Sequence, residues 1–288
     1  MKYNYLPGCS LHGSAKEYLL SFLRVSRKLG FQLYELSDWN CCGATAAKSI
    51  DSEWTLLLGA RNLALAERKS DVLLVPCNLC YHNLAITATA LRESEVRAEI
   101  NRKLQLVGLY FQGKVQVKHP LELLVSEQVL EIISSQITRS LSGLRVMAYY
   151  GCLLTRPKEV ALQGETNYSP RMLDKLINIL GATPVPFSAK TKCCGGTLFL
   201  SSPNVAYGAS RKILDEALRQ EPDCLVVTCP MCHMMLDGKQ TEIERTHQVK
   251  YRIPVLYFTQ LIGLALGLSP KSLGLTYHVV STRKITSR

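Results

Sequence analysis

Ten of the chain's 11 cysteines fall into two matched sets. Each set is a lone cysteine, then an adjacent pair followed by glycine, then Cys-x-x-Cys. The first comprises Cys9, Cys41-Cys42-Gly43 and Cys77-Asn78-Leu79-Cys80, and the second Cys152, Cys193-Cys194-Gly195 and Cys229-Pro230-Met231-Cys232. The step from Cys42 to Cys77 is 35 positions, as is that from Cys194 to Cys229. The lone cysteine precedes its pair by 32 positions in the first set and 41 in the second, which places about nine additional residues between Pro157 and Ser169. Thiols at such spacings do metal or redox chemistry. Burial as a small apolar residue suits Cys224, inside a β-branched run, but cannot account for two matched sets. Disulfides are disfavoured, because adjacent cysteines bond each other only with strain. Zinc takes four sulfurs and is rarely chelated by adjacent cysteines, so five per set leaves one over. An iron–sulfur cluster uses neighbouring thiolates on different irons and accommodates a fifth. The residues favour the cluster, with structural zinc as the competing reading.

These thiols need elements that carry them. Lys2 to Leu6 and Arg145 to Tyr150 read as strands ending at Gly-Cys, and the segments 71–75 and 223–227 as buried strands delivering each Cys-x-x-Cys. Ala15 to Leu29 and Arg171 to Leu180 read as helices ending at Gly30 and Gly181, and Ile50 to Lys69 and Val205 to Gln220 as helices by period. Alternating strand and helix predicts an α/β fold with a small parallel βαβ sheet and flanking helices in each half. Glu93 to Leu106 and Leu121 to Ile137 are two further helices, and a boundary near Ser140 to Gly143 divides the chain into 1–140 and 141–288. Gly8, Gly43, Gly151 and Gly195-Gly196 each touch a ligand cysteine, where a missing Cβ lets backbone approach a bound group.

Composition narrows the class. Cysteine is about 4 % of 288 residues, below the density of a disulfide scaffold, and 47 % hydrophobic content excludes a disordered or fibrous chain. The net charge of +11 is dispersed, with no basic run of five, so nucleic acid is not the expected partner. The segment after Met1 lacks an apolar signal region, and no uncharged apolar run reaches the ~18 residues of a membrane span. A reducing, cytoplasmic setting is therefore expected.

On these cysteine motifs the halves resemble two CCG domains, and Cys9 to Gly267 as a whole is similar to the B subunit of heterodisulfide reductase and its bacterial homologues. The resemblance implies two pseudo-repeated domains, each holding one noncubane [4Fe-4S] cluster. Cys9, Cys41, Cys42, Cys77 and Cys80 would bind the first, and Cys152, Cys193, Cys194, Cys229 and Cys232 the second. It implies reversible reduction of a disulfide, or coupling of thiols, by one-electron steps. Leu153 stands where the methanogen enzyme is expected to have histidine, which favours a bacterial-type homologue. The chain has neither a cubane-ferredoxin cysteine run nor a dinucleotide loop, so it should collect electrons inside a complex. The resemblance implies two partners there, a ferredoxin-like C subunit together with a flavoprotein A subunit.

Several other residues are candidates. His119 could donate protons to released thiolates. Arg156, Lys190 and Lys192 could hold an anionic substrate or offset cluster charge. His12, His82 and His233 lie beside ligand cysteines and could orient them. The rival function is an electron-transfer or anchoring CCG subunit of a succinate dehydrogenase-like or hydroxy-acid-oxidising respiratory complex. Ile253 to Leu268 would then offer an apolar face to a partner or, peripherally, to a membrane surface, with a C-terminal core helix as the plainer reading.

Overall fold

The computed structural model describes residues 1–162, 165 and 168–287. Part of the segment expected to hold the additional residues, 163–164 and 166–167, lies outside the described residues. Strands β1 (Lys2–Tyr5), β2 (Gln32–Glu35), β3 (Val72–Leu74) and β4 (Gln116–Lys118) form one sheet in the order β2-β1-β3-β4, every pair parallel. Strands β5 (Arg145–Tyr149), β6 (Thr183–Pro184), β7 (Cys224–Val227) and β8 (Val255–Tyr257) repeat that order as β6-β5-β7-β8. The apolar central strands β5 and β7 are buried almost throughout, as parallel strands covered on both faces must be. The predicted α/β class and parallel sheets are therefore observed.

The two halves interlock. After β8 the chain enters the helix Phe258–Ala265, which packs on the helix Lys16–Lys28 of the first half. Tyr18 and Tyr257 stack there with centroids 4.3 Å apart, and the Ser21 and Thr259 hydroxyls share a buried 2.7 Å hydrogen bond. Reciprocally, the helix Glu127–Ser135 of the first half lies against Met172–Ile179 of the second. Leu256, Phe258, Leu261, Ile262 and Ala265 are all 0 % exposed, so the membrane-face reading of this segment is corrected: it is core between the halves. No helix among the described residues is long and apolar enough to cross a membrane.

Three expected helices differ in detail. The Ile50 to Lys69 helix breaks at Asp51, whose carboxylate accepts the Glu53 N–H at 2.8 Å and caps Ser52–Glu67. Leu121 to Ile137 is two helices, Pro120–Leu124 and Glu127–Ser135, because Ser126 turns extended between them. Ile253 to Leu268 begins as β8, not as helix. A helix unforeseen from sequence, Asn78–Ala90, follows the first Cys-x-x-Cys. Its counterpart, Pro230–His233, passes through a π-helical turn, Met234–Gly238.

Candidate metal centre

In a sheet ordered β2-β1-β3-β4, chain direction reverses its march across the sheet between β1 and β3. Ligands bind outside the carboxyl ends of the strands flanking that point. Cys9 follows β1, and Cys77 and Cys80 follow β3; Cys152 follows β5, and Cys229 and Cys232 follow β7. The Cys-Cys-Gly loops close each site from the side.

The sulfurs of the first set form one hydrogen-bonded group, and those of the second form two groups side by side. Cys41 hydrogen-bonds Cys42 and Cys9, Cys42 bonds Cys80, and Cys80 bonds Cys77. In the second set Cys193 bonds Cys152, Cys194 bonds Cys232, and Cys232 bonds Cys229. Sharing a proton between close sulfurs splits their titration. The bond to Cys42 and then that to Cys9 hold Cys41 well below the usual thiol range, while the bond to Cys41 and then burial push Cys9 up. Likewise the bond to Cys152 lowers Cys193 to about 6, opposed by burial and aided by the Gly195 N–H and the Arg156 charge. Backbone N–H groups aim at the sulfurs: Gly43 to Cys41 Sγ at 3.5 Å and Gly195 to Cys193 Sγ at 3.3 Å. Three cysteines of each set are buried (Cys42, Cys77 and Cys80; Cys194, Cys229 and Cys232); Cys9, Cys41 and Cys193 are exposed and Cys152 is half-buried.

Gly8 and Gly151 show how close the backbone comes. A Cβ on Gly8 would lie 2.7 Å from Cys80 Sγ, and one on Gly151 3.0 Å from Cys232 Sγ. Both have φ near +70°, which side chains rarely adopt (+71° and +72°). Five converging thiols, amide donors and a backbone that yields space fit an iron–sulfur group, and in number exceed what zinc takes.

Residues beside the first set face the second set. Asn78, within the first Cys-x-x-Cys, donates through Nδ2 to Tyr150 O at 3.1 Å and Thr228 Oγ1 at 3.0 Å, just before Gly151 and Cys229. Asn83 donates to Cys42 O. A cavity of about 300 Å³ is lined by all five second-set cysteines, with Lys48, Asn78 and His82 facing them from the first half. Lys48, Asn78 and Asn83 carry no signal in the sequence that marks them as site residues. Their positions, six residues past Cys42 and on a helix that begins at Cys77, are the only clue the chain offers.

Other expected residues divide. His119 is 0 % exposed and caps Pro120–Leu124: Nδ1 accepts the Leu121 N–H at 3.1 Å, and Nε2 bonds Pro76 O at 3.1 Å. Burial lowers it to about 3, against bonds to Pro76 and Thr228. Buried and with both ring nitrogens engaged, His119 caps a helix here, and its geometry gives the expected proton-donor role no support. Arg156 is exposed, bonds Thr191 O at 2.6 Å, and its charge reaches Cys193. Lys190 is half-buried and paired with Asp174, so it is not available to substrate. Lys192 is exposed, and its carbonyl accepts the Tyr149 hydroxyl at 2.7 Å. His82 lines the cavity, with Nδ1 buried and unpartnered and burial lowering its pKa. His12 pairs with Glu35 at 3.2 Å on the surface. His233 is buried, stacks on Tyr257 and bonds Val255 O at 3.1 Å.

A duplicated parallel sheet with five thiols at each switch point defines a cysteine-rich class, and the family model described as "Cysteine-rich domain" (CCG) matches residues 3–85 and 146–237. The chain belongs to this family, in the branch of the heterodisulfide reductase B subunit. It is 35 % identical over 260 residues to the B subunit of the ferredoxin/F420H2-dependent CoB-CoM heterodisulfide reductase of Methanosarcina acetivorans, covering 88 % of this chain and 85 % of that one. It is 34 % identical over 285 residues to the 8-methylmenaquinol:fumarate reductase membrane anchor subunit of Wolinella succinogenes, covering 99 % of both. In fold it is similar to a hypothetical protein of Helicobacter pylori (TM-score 0.78, 14 % identity), with 97 % of this chain matching 52 % of that one, so it spans about half that structure's length.

Proposed function

We propose that the chain is the iron–sulfur catalytic subunit of a heterodisulfide-reductase-like complex, reversibly reducing a disulfide or coupling two thiols. The observation that carries this reading is the shared cavity, which puts the second thiol set opposite residues that surround the first. Cys9, Cys41, Cys42, Cys77 and Cys80 would hold one noncubane [4Fe-4S] cluster, and Cys152, Cys193, Cys194, Cys229 and Cys232 the other. When bound, such a pair supplies two single-electron centres for the two sulfurs of one disulfide. The protein's own part is positional. Leu79, Leu153 and Met231 give the cavity apolar walls against water, Lys48 brings a cation to an anionic substrate, and Asn78 fixes the first Cys-x-x-Cys turn against the second. Electrons would arrive through a ferredoxin-like C subunit from a flavoprotein A subunit, in a reducing cytoplasmic compartment.

A second reading rests on the near-complete match to the fumarate reductase membrane anchor. On it, the same two sets relay electrons between a quinol-linked partner and a dehydrogenase, and no disulfide is cleaved. Anaerobic purification and metal analysis test the shared premise: about eight irons per chain support two clusters, and two zincs without iron end both readings. Cys193→Ala then separates them. Disulfide cleavage predicts loss of the second set's paramagnetic signal together with turnover of a disulfide panel under a viologen donor, the first signal surviving. Absence of disulfide turnover in the wild-type complex would select the relay.

A further inference from the structure

The groove beside the last strand of each sheet is closed in one half and open in the other. By sheet register Val117 of β4 occupies the place of Val255 of β8, pairing with Leu73 and Leu225 respectively. Both strands are sheet edges. The Val255 carbonyl faces outward, because Pro254 O takes the bond from β7. It is covered by His233 at 3.1 Å and by the chain's own tail, where the Val279 and Val280 N–H groups bond the Asp237 carboxylate at 2.8 and 3.3 Å and His278 reaches His233 at 3.3 Å. In the first half no tail is left to fold back, since the chain after Glu127–Ser135 continues into β5. There the groove between Asn78–Ala90 and β4 is a cleft of about 600 Å³. Gln116 N bonds Asp71 O and Lys118 O receives the Val75 N–H, so both face β3. In a parallel ladder the intervening Val117 N–H and C=O then point away from the sheet, along the cleft. Its lining carries Arg92, Arg97, Lys114 and Lys118 against two carboxylates, Glu122 and Glu159, and Glu122 is already engaged by the His119 N–H at 2.8 Å.

We infer that this cleft receives an extended, acidic segment of a partner polypeptide, which adds to β4 as the tail covers β8. The Val117 N–H and C=O would supply main-chain bonds, and the four cations would select carboxylates. The inference does not depend on the redox reading. The probe is a labelled ten-residue peptide of alternating valine and glutamate, titrated anaerobically into the metal-loaded full chain and followed by anisotropy and hydrogen exchange. Saturable binding is expected, with slowed exchange of the Val117 amide. The Lys114→Glu/Lys118→Glu double variant, altered only at solvent-accessible side chains, should weaken it at least tenfold. Val117→Pro, which removes the outward N–H of an edge strand, should weaken it as well. Three results would overturn the proposal: equal binding of a valine–lysine or proline–glutamate peptide, binding without Val117 protection, or no binding at millimolar peptide. Self-association of the chain that the double variant abolishes would assign the cleft to a second copy and would also overturn it.

Discussion

The halves share a ligand frame but differ in what surrounds it. In the first, Cys9 and Cys41 are both exposed; in the second, Cys152 is half-buried and Arg156 stands near Cys193. The residue capping the helix after the last strand is His119 in one half and Tyr257 in the other, and the residue after each Cys-x-x-Cys exchanges in step, Tyr81 against His233. The aromatic contact across each pair is thus kept while its members swap sides. Duplication preserved the arrangement of five sulfurs and left the electrostatics free to diverge, as two centres of different potential would need.

The largest test of this comparison is to separate its members. Residues 1–140 alone would expose the surface where Phe258–Ala265 lies on Lys16–Lys28, including Tyr18, which is 0 % exposed in the whole chain. Residues 141–288 alone would expose a helix with eight buried residues. At about 1.5–3 kcal/mol per large apolar side chain, the loss exceeds the stability of an ordinary domain of this size. We expect both fragments to be insoluble or to lack cooperative unfolding, with co-expression restoring the fold. A cooperative melt of either fragment by circular dichroism would show that the halves are independent domains joined by a boundary near 140.

Sequence made the ligand frame legible because cysteine spacing is discrete: an equal step of 35 positions survives any drift in the surrounding helices. The strands that lead to the thiols were legible for the same reason, being bracketed by the motifs. The docking of the halves was not, since an apolar segment such as Ile253 to Leu268 looks alike whether it faces lipid, a protein partner or core. β8 was hidden inside that same run, and Asn78–Ala90 because it alternates apolar and polar residues without a clean helical stripe. His119 beside Pro120 looked reactive, and only the fold reveals that both its nitrogens are spent on backbone.

A finer test asks whether the two sites are equally tight. Gly8→Ala and Gly151→Ala impose the same left-handed backbone, at a cost of about 1–2 kcal/mol each. They differ in the space available, 2.7 Å to Cys80 Sγ against 3.0 Å to Cys232 Sγ. Each should lower iron content by up to half, from its own set, with Gly8→Ala the more severe. Iron analysis with paramagnetic spectra of the reduced proteins decides it. Equal, undiminished iron in both would mean that the glycines serve only as turns.

The smallest effect concerns acid. Burial lowers His119 to about 3 and His278 to about 4, both below the free imidazole value. A histidine whose folded pKa is depressed gives stability that is whole above about 6.5 and is lost as pH falls toward the folded value. The rate is up to about 1.4 kcal/mol per pH unit. In the second half Asp237, pushed up to about 7 by burial, lies 4.0 Å from His278 and has the opposite sign, because its folded form gains a proton as pH falls. Acid destabilisation between about pH 6.5 and 4 should therefore trace to His119 in the first half and to His233, likewise lowered by burial, in the second, more than to the offset His278. His119→Asn keeps a capping side chain but cannot titrate, so its urea midpoint at pH 5 should stay closer to its pH 7 value than the wild type's does. His278→Asn should retain most of the wild-type slope. A slope that His119→Asn leaves unchanged, or that His278→Asn removes, would place the acid-sensitive contact in the second half instead.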